Sequence, residues 1–153
     1  MRVVIDTNIL VSAVLGGVLK VIVDAWKAHE FTLVVSEAIV REYLDVLSRR
    51  KFGLTAEEIT ATTDFLLASA EFVTPLETVF AVEADPTDNK FLDAALAANA
   101  DCLVSGDAHL LDLKSFRDIP ILTARQFMDR LSACSAKRYL VRDRASVRRI
   151  LRD

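Results

Sequence analysis

Two apolar segments of this chain each lead directly to an aspartate. Residues 3–5 (Val-Val-Ile) precede Asp6, and only two residues separate residues 102–104 (Cys-Leu-Val) from Asp107. Apolar runs of this kind are typical of strands in a parallel sheet. Because the carboxyl ends of parallel strands meet along one edge, where open α/β folds bind their ligands, we expect the two aspartates to lie close together.

The rest of the chain alternates strand and helix patterns, which predicts βαβ units and an α/β fold with a mainly parallel sheet. Ser36 is placed to cap a helix, and Thr55 and Glu58 have the spacing of a capping box. The predicted strands are residues 2–6, 31–35, 72–75, 101–104 and 120–122. The predicted helices are residues 19–29, 37–50, 55–70, 89–98, 107–113 and 123–131, the last capped by Thr123.

Length and charge suggest one domain with a basic tail. A chain of 153 residues is long enough to bury a sizeable core. Its net charge of −3 conceals an uneven distribution, because residues 134–153 carry seven Lys and Arg but only two Asp. The tail is expected to be a solvated helix face, or else a segment that binds a polyanion such as RNA.

Composition also indicates the compartment. Two cysteines, Cys102 and Cys134, are too few for a disulfide framework. The first segment meets Asp6 at once and so lacks the apolar stretch of a signal peptide, and no apolar run is long enough to cross a bilayer. We therefore expect a cytoplasmic protein with no membrane partner.

Two further acids are placed to join Asp6 and Asp107. Glu42 lies at the margin of the apolar stripe of its predicted helix, and Asp88 precedes the apolar face of the alanine-rich helix by one turn. Four carboxylates in one cleft repel one another unless a cation lies between them, and a hard divalent cation takes oxygen ligands and water. Each acid alone could equally be an ordinary surface or capping group, so the hypothesis rests on their joint occurrence.

Four segments resemble, in the same order, the acidic motifs of PIN-domain nucleases. They are residues 5–8 (Ile-Asp-Thr-Asn), 36–42 (Ser-Glu-Ala-Ile-Val-Arg-Glu), 85–92 (Asp-Pro-Thr-Asp-Asn-Lys-Phe-Leu) and 103–107 (Leu-Val-Ser-Gly-Asp). The chain is similar to the toxin components of VapBC-like toxin–antitoxin systems. The resemblance covers residues 1–131, the PIN-like domain, and leaves residues 132–153 as a basic extension that could be helical.

The resemblance implies a PIN-like three-layer fold and a metal-dependent endoribonuclease that hydrolyses RNA phosphodiester bonds with Mg²⁺ or Mn²⁺. It also implies a homodimer and a small antitoxin protein that fills the active-site groove. In the third acidic position, Asp93 and Asp85 compete with Asp88. The implied catalytic and metal-holding residues are Asp6, Glu42, Asp88 and Asp107, supported by Thr7, Asn8 and Ser105.

The residues themselves favour metal-assisted hydrolysis, because a divalent ion supplies both an activated water and charge relief at a phosphodiester. Asp6 or Asp107 would orient or deprotonate that water. The two histidines are isolated, and no G-x-S-x-G nucleophile motif is present. A haloacid-dehalogenase-type phosphatase would need an acid where Asn8 stands, and the glycines at 16–17 do not form a dinucleotide fingerprint. The remaining alternative is a nucleic-acid- or partner-binding module with the same fold that does not cut.

Overall fold

The computed structural model describes residues 1–83 and 85–150, with the side chains of the last helix described as far as Arg138. Short 3₁₀ turns lie at Gly17–Leu19, Arg50–Phe52 and Pro86–Asp88. In chain order, the strands and α-helices are β1 (Arg2–Ile5), α1 (Thr7–Leu15), α2 (Lys20–Lys27), β2 (Thr32–Val35), α3 (Glu37–Leu47), α4 (Ala56–Ser69), β3 (Glu71–Phe72), α5 (Asn89–Ala98), β4 (Cys102–Val104), α6 (Ala108–Leu111), β5 (Ser115–Phe116), β6 (Ile119–Leu122) and α7 (Ala124–Ile150).

The six strands form one sheet in the order β3-β2-β1-β4-β6-β5. All neighbouring pairs are parallel except β5 and β6, which form an antiparallel hairpin. The chain builds the sheet outward from β1 to β3 and then returns to add β4 on the other side of β1. This reversal of strand order creates a crevice between the carboxyl ends of β1 and β4, the position where α/β folds bind ligands.

The central strands are buried on both faces. In residues 3–5, 33–35 and 102–104, no side chain exposes more than 1% of its surface. A strand that is apolar at every position needs cover from both sides, which the helices supply. The predicted α/β fold, a mainly parallel sheet flanked by helices, is therefore confirmed.

The helix caps predicted at Ser36 and Thr55 are present in the structure. The Ser36 hydroxyl accepts a hydrogen bond from the Ile39 amide at the start of α3, at 3.4 Å. In the capping box of α4, the Thr55 amide donates to Glu58 at 2.8 Å, and the Glu58 amide donates to the Thr55 hydroxyl at 3.1 Å. These reciprocal bonds satisfy amides that have no partner inside the helix.

Helix α1 was not predicted. Asp6 caps it directly after β1, so no loop separates strand from helix. Its residues are apolar on nearly every face and include several β-branched side chains, and such a segment lacks the one-sided pattern by which helices are recognised. No single helix among the described residues is long and apolar enough to cross a membrane. Helix α1 and the segment Gly17–Lys27 would together be long and apolar enough, but the chain bends by 96° between them.

Other differences concern element lengths. Helix α3 ends at Leu47 rather than near residue 50, β3 spans only two residues, and β5 was not predicted. Helix α7 continues past residue 131 to Ile150, because the sequence between them contains no glycine or proline to end it. The division at residue 131 remains a prediction. The tail side chains proposed to pack or to bind RNA from Arg142 onward lie outside the described residues.

Candidate active site

Asp6 occupies the crevice between β1 and β4 and is 5% exposed. Its backbone amide donates to the Val104 carbonyl at 2.9 Å, which joins the two strand ends. One carboxylate oxygen accepts the Ile9 amide at 3.0 Å, and the other accepts the Ser105 hydroxyl and, at 3.2 Å, the Gly106 amide. Burial raises the pKa of Asp6, while these three hydrogen bonds lower it. The carboxylate is therefore held in one orientation.

Ser105 connects Asp6 to Asp107. Its hydroxyl is fully buried, donates to Asp6 and accepts the Asp107 amide at 3.0 Å. The Asp107 side chain caps α6 by accepting the His109 amide at 2.7 Å. The charge of Asp107 contributes to the raised pKa of Asp6. The structure thus brings together the two aspartates that follow β1 and β4.

Glu42 reaches the same crevice from α3. The buried Thr7 hydroxyl donates to one of its carboxylate oxygens at 2.5 Å. The next residue along α3, Tyr43, is fully buried, and its hydroxyl donates to the Ile5 carbonyl at the end of β1. Burial raises the pKa of Tyr43 well above its ordinary value, and the charges of Asp6 and Glu42 add to the shift. The hydrogen bond from Tyr43 to the Ile5 carbonyl, which was not predicted from the sequence, holds α3 against β1.

Asp88 is the last residue of the 3₁₀ turn before α5. One of its carboxylate oxygens is buried and has no hydrogen-bond partner among the described residues. Burial raises its pKa to about 6, helped by the charges of Asp85, Asp107 and Asp6, whereas Lys90 lowers it. The charges of both strand-end aspartates therefore act on Asp88. Its buried oxygen lies in a region of negative potential, where a cation would be stabilised.

Lys90 is a site residue that sequence reasoning missed. Its ammonium forms an ion pair with Glu42, in which the side chains are 18% and 32% exposed. The same ammonium lies 5.4 Å from the centre of the Phe91 ring. In the sequence, Lys90 is a single basic residue that follows an acidic motif, in the first turn of an alanine-rich helix. That signal does not reveal the partner, because Glu42 belongs to another helix.

Two residues of the predicted set are not joined to these acids by any described hydrogen bond or ion pair. Asn8 is exposed on α1 and makes no described contact with the acids. Asp93 accepts the Val79 amide at 2.7 Å and so anchors the connection between β3 and α5. Asp85, the other competitor for the third position, accepts the Thr87 amide and hydroxyl in the turn that leads to Asp88.

Asn89 holds the same connection in place and was also missed. Its side chain is 4% exposed, accepts the Val82 amide at 2.9 Å and donates to the Val82 and Pro86 carbonyls, each at 3.1 Å. The three hydrogen bonds of this buried side-chain amide satisfy backbone groups that the irregular segment would otherwise leave unpaired. They fix the turn that carries Asp88.

The described residues contain no group of three or more Asp, Glu, His or Cys close enough to hold a metal ion. Glu42 is bound to Lys90, and Asp107 is bound to the start of α6. The donor set nevertheless suits a hard divalent cation, because Asp88 has a buried, unpartnered oxygen within reach of Asp6 and Asp107. Mg²⁺ commonly binds proteins through one or two carboxylates and keeps several waters. Asp6, Asp88 and Asp107 could supply those one or two carboxylates.

Comparison with known proteins agrees with this architecture. No curated protein matches the chain. One similar solved structure is that of VapBC2 from Rickettsia felis, bound to a DNA fragment from the VapBC2 promoter. The two chains are 17% identical, the match covers 80% of this chain and 98% of that chain, and the TM-score is 0.54. PAE2754 from Pyrobaculum aerophilum is similar at 16% identity, covering 87% of this chain and 90% of that chain, with a TM-score of 0.58. Both likenesses concern the fold. In sequence, residues 2–109 match the PIN domain family, and this chain, with its acidic crevice between β1 and β4, belongs to that family.

Proposed function

We propose that the protein is a metal-dependent endoribonuclease that hydrolyses RNA phosphodiester bonds. The observation that carries the proposal is the position of Asp88, whose buried, unpartnered oxygen lies in the field of Asp6 and Asp107. Asp6 and Asp107 follow the two strands at which the strand order reverses, where α/β folds bind ligands. Membership of the PIN domain family, in which nucleases are usual, supports the same chemistry.

The chain's residues divide the work as follows. Bound Mg²⁺ or Mn²⁺ supplies an activated water and neutralises charge at the phosphate. Asp6, Asp88 and Asp107 would supply the one or two carboxylates that hold the ion, and Ser105 keeps the Asp6 carboxylate in one orientation. Both oxygens of Asp6 accept hydrogen bonds, whereas Asp107 uses one oxygen among the described contacts. Asp107 is therefore the better candidate to accept the proton of the attacking water.

Cleavage of labelled RNA tests the proposal directly. Wild-type protein should cut with Mg²⁺ or Mn²⁺ and stop on addition of a chelator. Asp6→Asn and Asp107→Asn should each lower the rate by a factor of about 100 or more, because each removes a charged group while keeping its shape. Asp24→Asn is the matched control, since Asp24 is half-exposed and pairs with Lys20 on α2.

The alternative, a binding module that does not cut, makes a different prediction. RNA would then bind with equal affinity to wild type and to both site variants, and no metal-dependent product would form. That result would contradict the nuclease proposal while leaving the family assignment intact.

We also propose that the nuclease is the toxin of a toxin–antitoxin pair, acting in the cytoplasm as a homodimer. The fold likeness to VapBC2 supports an antitoxin partner, and we propose that it is a small protein that fills the acidic crevice. Large apolar side chains are available for contacts with partners: Val18, Leu76 and Phe80 are 81%, 97% and 79% exposed. Expression of wild type should arrest growth, whereas Asp6→Asn should not. Co-expression of a short neighbouring reading frame should restore growth, and arrest that persists in Asp6→Asn would contradict the toxin proposal.

A further inference from the structure

We infer that Lys90 is an internal counter-ion that holds Glu42 in the free protein, and that a divalent cation entering the site competes with its ammonium for this carboxylate. The inference rests on the proposed metal dependence and adds a residue that controls it. Lys90 is here a positioning residue, since it acts through Glu42.

In the metal-free protein, both carboxylate oxygens of Glu42 have a partner. One carboxylate oxygen accepts the Thr7 hydroxyl at 2.5 Å, and the other is bound by the Lys90 ammonium. The pair is substantially buried, with 18% of the lysine side chain and 32% of the glutamate side chain exposed. A metal ion that binds this carboxylate would lie close to the Lys90 ammonium, so the two cations compete for the same negative charge. The absence of a three-carboxylate cluster among the described residues agrees with this arrangement.

The charge of Lys90 extends beyond Glu42. It lowers the pKa of both Asp85 and Asp88, so the ammonium is shared electrostatically by acids from α3 and from the turn before α5. A divalent cation in the crevice would neutralise these acids with twice the charge. Once it is bound, the attraction that keeps the ammonium beside Glu42 is weakened by the repulsion between the two cations.

The structure also offers the ammonium another position. Lys90 lines a cavity of about 360 Å³ between α3, α5 and the segment after β3. The same cavity is lined by Asp93, one of whose carboxylate oxygens accepts the Val79 amide, and this carboxylate could receive the displaced ammonium. Movement of the ammonium into this cavity would use the flexibility of the four-carbon lysine side chain.

Calorimetric titration with Mn²⁺ tests the competition. Lys90→Met keeps the length of the side chain and removes its charge, and it should tighten Mn²⁺ binding about tenfold, the scale of a partly exposed ion pair. Lys20→Met is the matched control, since it removes an exposed ion pair on α2 at 2.8 Å and should leave Mn²⁺ affinity unchanged.

Unchanged or weaker binding in Lys90→Met would overturn the inference while leaving the metal-dependent function standing. Absence of Mn²⁺ binding in both wild type and Lys90→Met would overturn both. Tighter binding in the variant supports the inference even where wild-type binding is weak.

A second measurement uses only wild-type protein. Labelling of lysine amines with an acetylating reagent, read by mass spectrometry, should become about threefold faster at Lys90 with saturating Mg²⁺, because release from an ion pair exposes the amine. Labelling of Lys20 should not change. Equal Lys90 labelling with and without Mg²⁺, when calorimetry shows that Mg²⁺ is bound, would overturn the inference.

Discussion

The two sides of the candidate site are held in different ways. On the strand side, Asp6 is fixed by hydrogen bonds from Ser105 and the Gly106 amide, which follow β4, and from the Ile9 amide in the first turn of α1. On the helix side, Glu42 is held by one hydroxyl and one ammonium, and a buried oxygen of Asp88 has no described partner. The strand side is thus determined by the fold, whereas the helix side depends on which cation lies nearby.

This difference has a physical origin. Backbone amides and a buried serine cannot move without disrupting the sheet, so they define one carboxylate geometry before any ligand arrives. A lysine side chain has a flexible four-carbon stem, so its ammonium can change partner while the backbone stays in place. A site built from both kinds of support can keep a rigid base while it adapts to an incoming cation.

The largest expected effect on stability is that of Ser105→Ala, on the strand side. The substitution removes the hydrogen bonds to Asp6 and Asp107 and leaves a buried carboxylate under-satisfied, which should lower the free energy of unfolding by about 3 kcal/mol at pH 7. Urea denaturation measures it. Ser48→Ala, which removes only an exposed hydroxyl bonded to the Leu44 carbonyl, is the control and should change stability by less than about 0.5 kcal/mol. A loss at Ser105 as small as that of the control would show that the strand side is not rigidly held.

A smaller effect of opposite sign is expected for Asp88→Asn, on the helix side. The pKa of Asp88 rises in the folded protein from 3.8 to about 6, so the folded state binds its proton more tightly than the unfolded state. Wild-type stability should therefore fall as the pH rises from 4 through 6 and then level off. Since one pKa unit corresponds to about 1.4 kcal/mol and the side chain is partly exposed, Asp88→Asn should be about 2 kcal/mol more stable than wild type at pH 8.

Urea denaturation at pH 4 and pH 8, in buffer with a chelator, checks this pH dependence. The gain should vanish at pH 4, where Asp88 is protonated in wild type. Asp64→Asn, at an exposed position on α4, should show no such dependence. A gain that is equal at both pH values would mean that removal of the charge is not its cause.

The smallest effect is expected for Thr7→Val. The variant loses the hydrogen bond to Glu42, which is partly exposed and keeps its ion pair with Lys90, so the loss should be about 1 kcal/mol. Thr60→Val, which removes an exposed hydroxyl bonded to the Ala56 carbonyl, serves as the control. If Thr7→Val were as destabilising as Ser105→Ala, Glu42 would belong with the rigid part of the site.

Sequence patterns predicted those parts of the molecule that local rules determine. Helix α5 was expected over residues 89–98 and spans Asn89–Ala98, because its alanines favour helix and the Asp-Pro turn marks its start. The capping box of α4 followed from Thr55 and Glu58 alone. The positions of Asp6 and Asp107 followed from a general property of parallel sheets.

The parts that were missed depend on contacts between distant segments. Helix α1 is buried around most of its surface, so its sequence shows only a narrow polar stripe, formed by Asn8 and Ser12. The strand β5 spans two residues and exists because it pairs with β6. The pairing of Lys90 with Glu42 joins two helices, and a single sequence contains no signal of which side chains meet across such a distance.

The brevity of the outermost strands has a consequence for how the molecule associates. Both β3 and β5 are two residues long, and β3 carries Glu71 in an ion pair with Arg2. Such margins offer few free backbone groups on which another chain could add a strand, so lateral growth into fibrils is disfavoured. We expect the protein to recognise other molecules through its helices and loops.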